Sequence, residues 1–114
     1  MKLLSNRTRR VGENIRAMLS KILLLKKNSI PGLDDKLITI TEVQPTADIR
    51  YAKVFISGMG SNEKEIVCIL NENSNLFSKL LAKELKTKYS PKLSFHRDYS
   101  FSQAEKINEL IKFK

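Results

Sequence analysis

Leu37-Ile38-Thr39-Ile40-Thr41-Glu42-Val43 and, after a short connection, Tyr51-Ala52-Lys53-Val54-Phe55-Ile56-Ser57 are the stretch whose reading decides the fold. Both runs are rich in β-branched and aromatic side chains, which suit a pleated, half-buried surface. In the second run Ala52, Val54 and Ile56 alternate with Tyr51, Lys53 and Phe55, so the first set shares one face and the second the other. Pro45 to Asp48 supplies the turn, because proline cannot extend a central ladder and Asp suits a turn position. A connection this short predicts an antiparallel hairpin. Gly58-Met59-Gly60 ends it, and a lone Gly-x-Gly after a strand reads as a turn.

Helices flank the hairpin. Upstream, Arg7 to Leu25 carries Val11, Ile15, Met18, Leu19, Ile22 and Leu25 as one apolar stripe at helical period, with Ser5 or Asn6 placed to cap it. Residues 1–5 are expected to be a flexible N-terminus. Asn28 to Lys36 is a loop, broken by Pro31-Gly32. Downstream, Asn62–Asn71 and Leu76–Leu85 read as two helices, interrupted at Asn73-Ser74-Asn75, where Asn tolerates the left-handed conformation a kink can use. Pro91 precedes a short third strand, Leu93-Ser94-Phe95. Ser102 to Phe113 reads as a last helix with its own capping box. The order is α-β-β-α-kink-α-β-α, one α+β domain over residues 1–114 with a three-stranded sheet covered by helices on one face.

The chain has 114 residues, and 21 Lys and Arg against 12 Asp and Glu leave a net charge of +9. A charge this large on so small a body favours a polyanion as partner. The excess is concentrated. Residues 1–27 hold eight basic residues and one acid; residues 79–97 hold six and one. The candidate RNA-binding set is therefore Arg7, Arg9, Arg10, Arg16, Lys21, Lys26 and Lys27 in the first block, and Lys79, Lys83, Lys86, Lys88 and Lys92 in the second. Tyr89 is the best-placed aromatic for stacking. Folded side by side, the two blocks would make one phosphate-binding platform. Tyr51, Phe55, Phe95, Tyr99 and Phe101 are also aromatic, with Phe95 assigned to the core.

Other chemistry finds little support. One cysteine and one histidine leave no multi-cysteine zinc site and few ways to build a catalytic centre. Cys68, beside Val67 and Ile69, is expected to be a buried small hydrophobe. His96-Arg97-Asp98 reads as a surface strand histidine with a nearby salt bridge. Asp34-Asp35 and Asp48 lack the ligand spacing of a calcium loop. No catalytic residue, cofactor or metal is expected. No apolar run approaches the length of a membrane span, and no signal peptide is read, so the expected address is the cytoplasm. An anionic membrane surface, met by the amphipathic first helix, is the rival for the basic charge; against it, that helix's apolar stripe is needed for the core.

The order αββ, then αα and β, resembles a type II KH-like domain. The residues resemble the bacterial ribosome-binding factor A family in Asn6-Arg7 with Arg10-Val11, Ile15 and Leu19. The likeness continues in Leu37–Val43, in Asp48-Ile49-Arg50-Tyr51 through Ser57, and in Pro91-Lys92-Leu93-Ser94-Phe95 with Asp98 and Ser100. The family's Ala-x-Gly kink aligns with Asn73-Ser74-Asn75, and its Asp-Pro-Arg-Leu loop with Ile30-Pro31-Gly32-Leu33-Asp34-Asp35. The resemblance implies a non-enzymatic, monomeric factor that binds the free small (30S) ribosomal subunit. It implies a role in late maturation and 5′-end processing of 16S ribosomal RNA, above all in the cold, with an assembly GTPase as a candidate further partner. The alternative is a generic KH-type RNA-binding or ribosomal protein. A KH clamp would need Gly-x-x-Gly so that bare backbone can approach the nucleotides, and the four glycines here, at 12, 32, 58 and 60, do not supply it.

Overall fold

The computed structural model describes residues 6–58, 62–86 and 90–99. Helix α1 spans Asn6–Lys26 and passes through a 3-10 turn, Lys27–Ser29, into the loop. Strands β1 (Thr39–Pro45) and β2 (Tyr51–Ser57) form the antiparallel hairpin. Helices α2 (Glu63–Glu72) and α3 (Ser74–Leu85) follow, and β3 (Lys92–Arg97) pairs parallel to β2. The sheet order is β1-β2-β3. This α+β arrangement is the one expected from the sequence. Residues 1–5, the tip Met59-Gly60-Ser61, and the expected last helix Ser102–Phe113 lie outside the described residues, as do Lys88 and Tyr89.

All three helices cover the same sheet face. Ala52, Val54 and Ile56 point into a single core with Ile15, Leu19, Ile22 and Leu23 of α1, Ile66 and Leu70 of α2, and Phe77 and Leu81 of α3. Each large apolar side chain buried this way stabilises the fold by roughly 1.5–3 kcal/mol. Phe77 meets Phe95 edge-on at 5.7 Å, fastening α3 to β3. Gly12 allows α1 to lie close on β1: a Cβ there would stand 2.7 Å from the Val43 carbonyl oxygen.

Several boundaries differ from expectation for identifiable reasons. Strand β1 runs from Thr39 to Pro45, two residues later than read. As an edge strand it tolerates a proline, since one side of its backbone has no ladder to complete. A β-bulge lies between Ile40 and Glu42. Strict alternation from Ile40 would bury Glu42; the extra residue Thr41 shifts the phase so that Val43 and Pro45 face inward and Glu42 outward. Thr41 Oγ1 lies 3.2 Å from the Phe55 carbonyl oxygen and 2.5 Å from Asp98 Oδ2. Leu25 is 69% exposed, and Leu23 takes its place inside. The inward face of α1 follows Ile15, Leu19 and Leu23, each one turn from the last, and this line leaves Leu25 on the solvent side. Cys68 is exposed, not buried. It lies two positions from both Ile66 and Leu70, so helical geometry turns it away from the core, with Sγ 3.7 Å from Glu72 Oε1.

The helix break is narrower than read. Only Asn73 stands between α2 and α3, at φ −104°, outside the left-handed region, while Ser74 and Asn75 already belong to α3. Asn73 Nδ2 donates to the Ile69 carbonyl at 2.8 Å, closing the end of α2. Left-handed residues occur instead at Ile49 (φ 59°), in the hairpin turn, and at Lys86 (φ 55°), which ends α3.

Candidate RNA-docking surface

Helices α1 and α3 pack against each other on the sheet, so the basic residues of α1 share one layer with Lys79 and Lys83 of α3. A groove of about 260 Å³ runs between them, lined by Ala17, Met18, Lys21, Ile22, Leu25 and Glu84. Arg7, Arg9, Arg10, Lys21 and Lys26 are exposed on α1; Lys79 and Lys83 are exposed on α3, with Lys86 at its end. At 100° per residue Arg10 and Lys21 fall on one line along α1, Arg9 and Arg16 on another, so the block wraps around the solvent half of the helix. Lys79 and Lys83 sit one turn apart, opposite the buried Phe77 and Leu81.

Three members of the set are differently employed. Arg16 is held by Glu13, with Nη2 2.8 Å from Oε2. Lys27 is half-buried and donates from Nζ to the Lys36 carbonyl at 2.6 Å, tying the loop after α1 to the start of β1. Lys92 occupies an outward position of β3, on the sheet face opposite the helices, so it cannot share a surface with Lys79 and Lys83. Glu84 in the groove also places one carboxylate beside Lys21, between the two blocks. That leaves Arg7, Arg9, Arg10, Lys21 and Lys26 of α1, with Lys79, Lys83 and Lys86, as the exposed cations of the helical layer.

The first turn of α1 holds no acid. Arg7 and Arg9 stand there instead, at the positive end of the helix dipole, where a cation is unfavourable by about 0.3–1 kcal/mol. The cations and the dipole add, giving a concentrated positive field at this end of the layer.

The remaining polar groups serve the frame. Glu63 joins β2 to β3: its Oε2 accepts from Gly58 N–H at 2.9 Å, and its Oε1 lies 2.8 Å from Arg97 Nε. That ion pair is the salt bridge expected beside His96, and the Arg97 guanidinium rests 5.0 Å over the Tyr99 ring. Asn71, which the sequence reading passed over, exchanges two hydrogen bonds with the backbone of Phe95, at 2.8 and 3.0 Å. A side-chain amide so used imitates a neighbouring strand and occupies part of the open edge of β3. In the hairpin turn, Asp48 Oδ1 accepts from the Thr46 hydroxyl at 2.6 Å and from the Arg50 N–H at 3.2 Å. These bonds, the Thr46 one foremost, hold the Asp48 carboxyl below its ordinary pKa. Among the described residues no group of three or more His, Cys, Asp and Glu could hold a metal ion, and no helix is long and apolar enough to cross a membrane.

A small basic α+β domain with a cationic helical layer carries the electrostatic footprint looked for in nucleic-acid-docking modules. The chain belongs to the ribosome-binding factor A family, whose profile matches residues 7–111. It is 41% identical to the ribosome-binding factor A of Pelagibacter ubique over 95% of this chain and 89% of that one. The Zymomonas mobilis protein of the same name is 36% identical, over 95% and 77%. A solution structure from Thermotoga maritima, described as a putative ribosome binding factor A, superposes with a TM-score of 0.73 at 28% identity, covering 88% of this chain and 94% of that one. A Thermus thermophilus ribosome binding factor A, fitted as a homology model into the map of its 30S complex, shares the fold at a TM-score of 0.61 and 15% identity, over 77% and 91%.

Proposed function

We propose that this protein is a ribosome assembly factor that docks on the free small ribosomal subunit. It assists late maturation of 16S ribosomal RNA, including its 5′ end, and makes or breaks no bond itself. The observation that carries the reading is the placement of Arg7, Arg9 and Arg10 at the end of α1 where the helix itself disfavours cations, on the layer that also bears Lys79 and Lys83. Family membership supports it, as does the 30S complex of the Thermus thermophilus relative.

Docking works by shape and phosphate contact. Arginine forks grip phosphate oxygens bidentately, while the α3 lysines add attraction without base selectivity. Held across an RNA junction, the rigid domain stabilises one arrangement of the immature RNA and leaves when that arrangement changes. The protein acts as a monomer in the cytoplasm, its service is greatest in the cold, and an assembly GTPase is a fitting partner for its release. Sedimentation with free small subunits and with full ribosomes tests this. Retention on the free subunit alone is expected; equal retention on both, or on neither, contradicts it.

A further inference from the structure

The sheet face turned away from the helices has a composition unlike an ordinary solvated strand surface. Tyr51, Lys53 and Phe55 of β2 point outward there, and Lys92, Ser94 and His96 of β3 stand beside them in register: Tyr51 with Lys92, Lys53 with Ser94, Phe55 with His96. Tyr51 is 54% exposed. The Phe55 and His96 rings lie 5.6 Å apart, tilted by 35°, with Ser94 Oγ 2.9 Å from His96 Nε2. Strand β1 adds Gln44 opposite Lys53 and Glu42 opposite Phe55.

The geometry points to this face as a second binding surface, for unpaired RNA nucleotides stacked on Tyr51 and on the Phe55–His96 pair, with Lys53 and Lys92 on the phosphates. Rings and cations alternate on it, the combination that binds single strands, because every base has a π-face and every linkage a charge. At about 3.3 Å per residue Tyr51 and Phe55 stand roughly 13 Å apart, leaving room for a nucleotide over Lys53 and Ser94. Among the described outward residues of the three strands none is aliphatic, so the apolar contact this face offers comes from its rings. Glu42 and Asp98 bring carboxylates to the Phe55 end, Asp98 through its contact with Thr41, while at the Tyr51 end the exposed Arg50 stands with its Nε 3.9 Å from Asp48 Oδ2. Covering opposite sides of the sheet, the two surfaces let one domain hold structured RNA on its helices and a loose strand on its back. This rests on the proposed RNA-docking role.

The probe is a fluorescein-labelled, unstructured RNA of roughly twelve nucleotides, within the span such platforms cover. Tyr51→Ala is expected to weaken its binding at least about fivefold, the loss of one stacked base. Phe55→Ala does the same, and Tyr51→Phe and Phe55→Tyr restore binding. Since Phe55 is half-buried, its variants are compared at equal thermal stability, while the exposed Tyr51 gives the independent readout. Unchanged binding in both alanine variants, no binding of the wild type, or loss only on Arg10→Ala/Lys21→Ala overturns the inference. Retention on the free subunit without oligonucleotide binding removes this inference alone. Tyr51-dependent oligonucleotide binding without subunit retention removes the maturation reading alone.

Discussion

Helices α1 and α2 do the same structural work and look opposite from outside. Each lays an apolar stripe on the same sheet face: Ile15, Leu19 and Ile22 in one, Ile66 and Leu70 in the other. Helix α2 follows the rules of helix ends. Asn62 Oδ1 accepts from Glu65 N–H at 3.2 Å, and Glu63 and Glu65 stand in the first turn, where the dipole favours acids. Helix α1 breaks them, with Arg7 and Arg9 in that position and no acid. The core is served equally well in both cases, so the cations of α1 are not there for folding. In the proposed docking role these cations are the ones the RNA meets, and local rules are broken most often at functional or strained sites.

The sharpest way to break this comparison is to exchange the charges. Arg10→Glu with Lys21→Glu is expected to weaken small-subunit binding on the order of a hundredfold, since each charge-assisted contact is worth about tenfold. Glu65→Lys with Glu72→Lys on α2 changes it less than about twofold, by the same pelleting titration. Gly12→Ala tests the seat of α1 on β1: the new Cβ meets backbone at Val43, which cannot yield as a flexible side chain would, and costs about 1–3 kcal/mol in chemical denaturation. Lys86→Gly relieves the left-handed end of α3 and raises stability by about 1 kcal/mol in chemical denaturation. Arg9→Glu and Glu65→Lys should move stability in opposite directions by about 0.3–1 kcal/mol: the first stabilises and weakens binding, the second destabilises and leaves binding alone.

The smallest effect is in the hairpin turn, away from both helices. The Asp48 carboxyl has its pKa lowered in the folded state, chiefly by Thr46, so the stability it adds is present above the ordinary Asp range. That contribution disappears as pH falls through the lowered folded value. Asp48→Asn removes this acid-side component, and the fall in melting temperature between neutral and acid pH becomes shallower than in the wild type.

Much of the frame could be read from period alone. The alternation in Tyr51–Ser57 gives β2 its bounds and its inward face, and the stripe from Ile15 to Ile22 gives α1 its core side. What escaped was set by tertiary geometry. The bulge at Thr41 resolves a conflict already written in the sequence, since Ile40 and Val43 cannot both face inward on an unbroken strand. Cys68 shows the opposite error: apolar neighbours in sequence are not neighbours on a helix face, and the spacing of Ile66 and Leu70 would have turned it outward. For the candidate surface, charge clustering located the cations but not their sides. Lys92 follows the alternation of β3 away from Lys79 and Lys83, and Lys27 is drawn to the Lys36 carbonyl by a loop closure no pattern announces.

Salt dependence of free-subunit binding tests the functional assignment of the α1 cations most directly. Each phosphate contact removed should lower the log–log slope by between about 0.7 and 0.9. Arg10→Ala with Lys21→Ala is predicted to flatten the slope by roughly twice that amount, while Glu65→Gln with Glu72→Gln leaves it unchanged. Identical slopes for the wild type and both double variants would contradict the account.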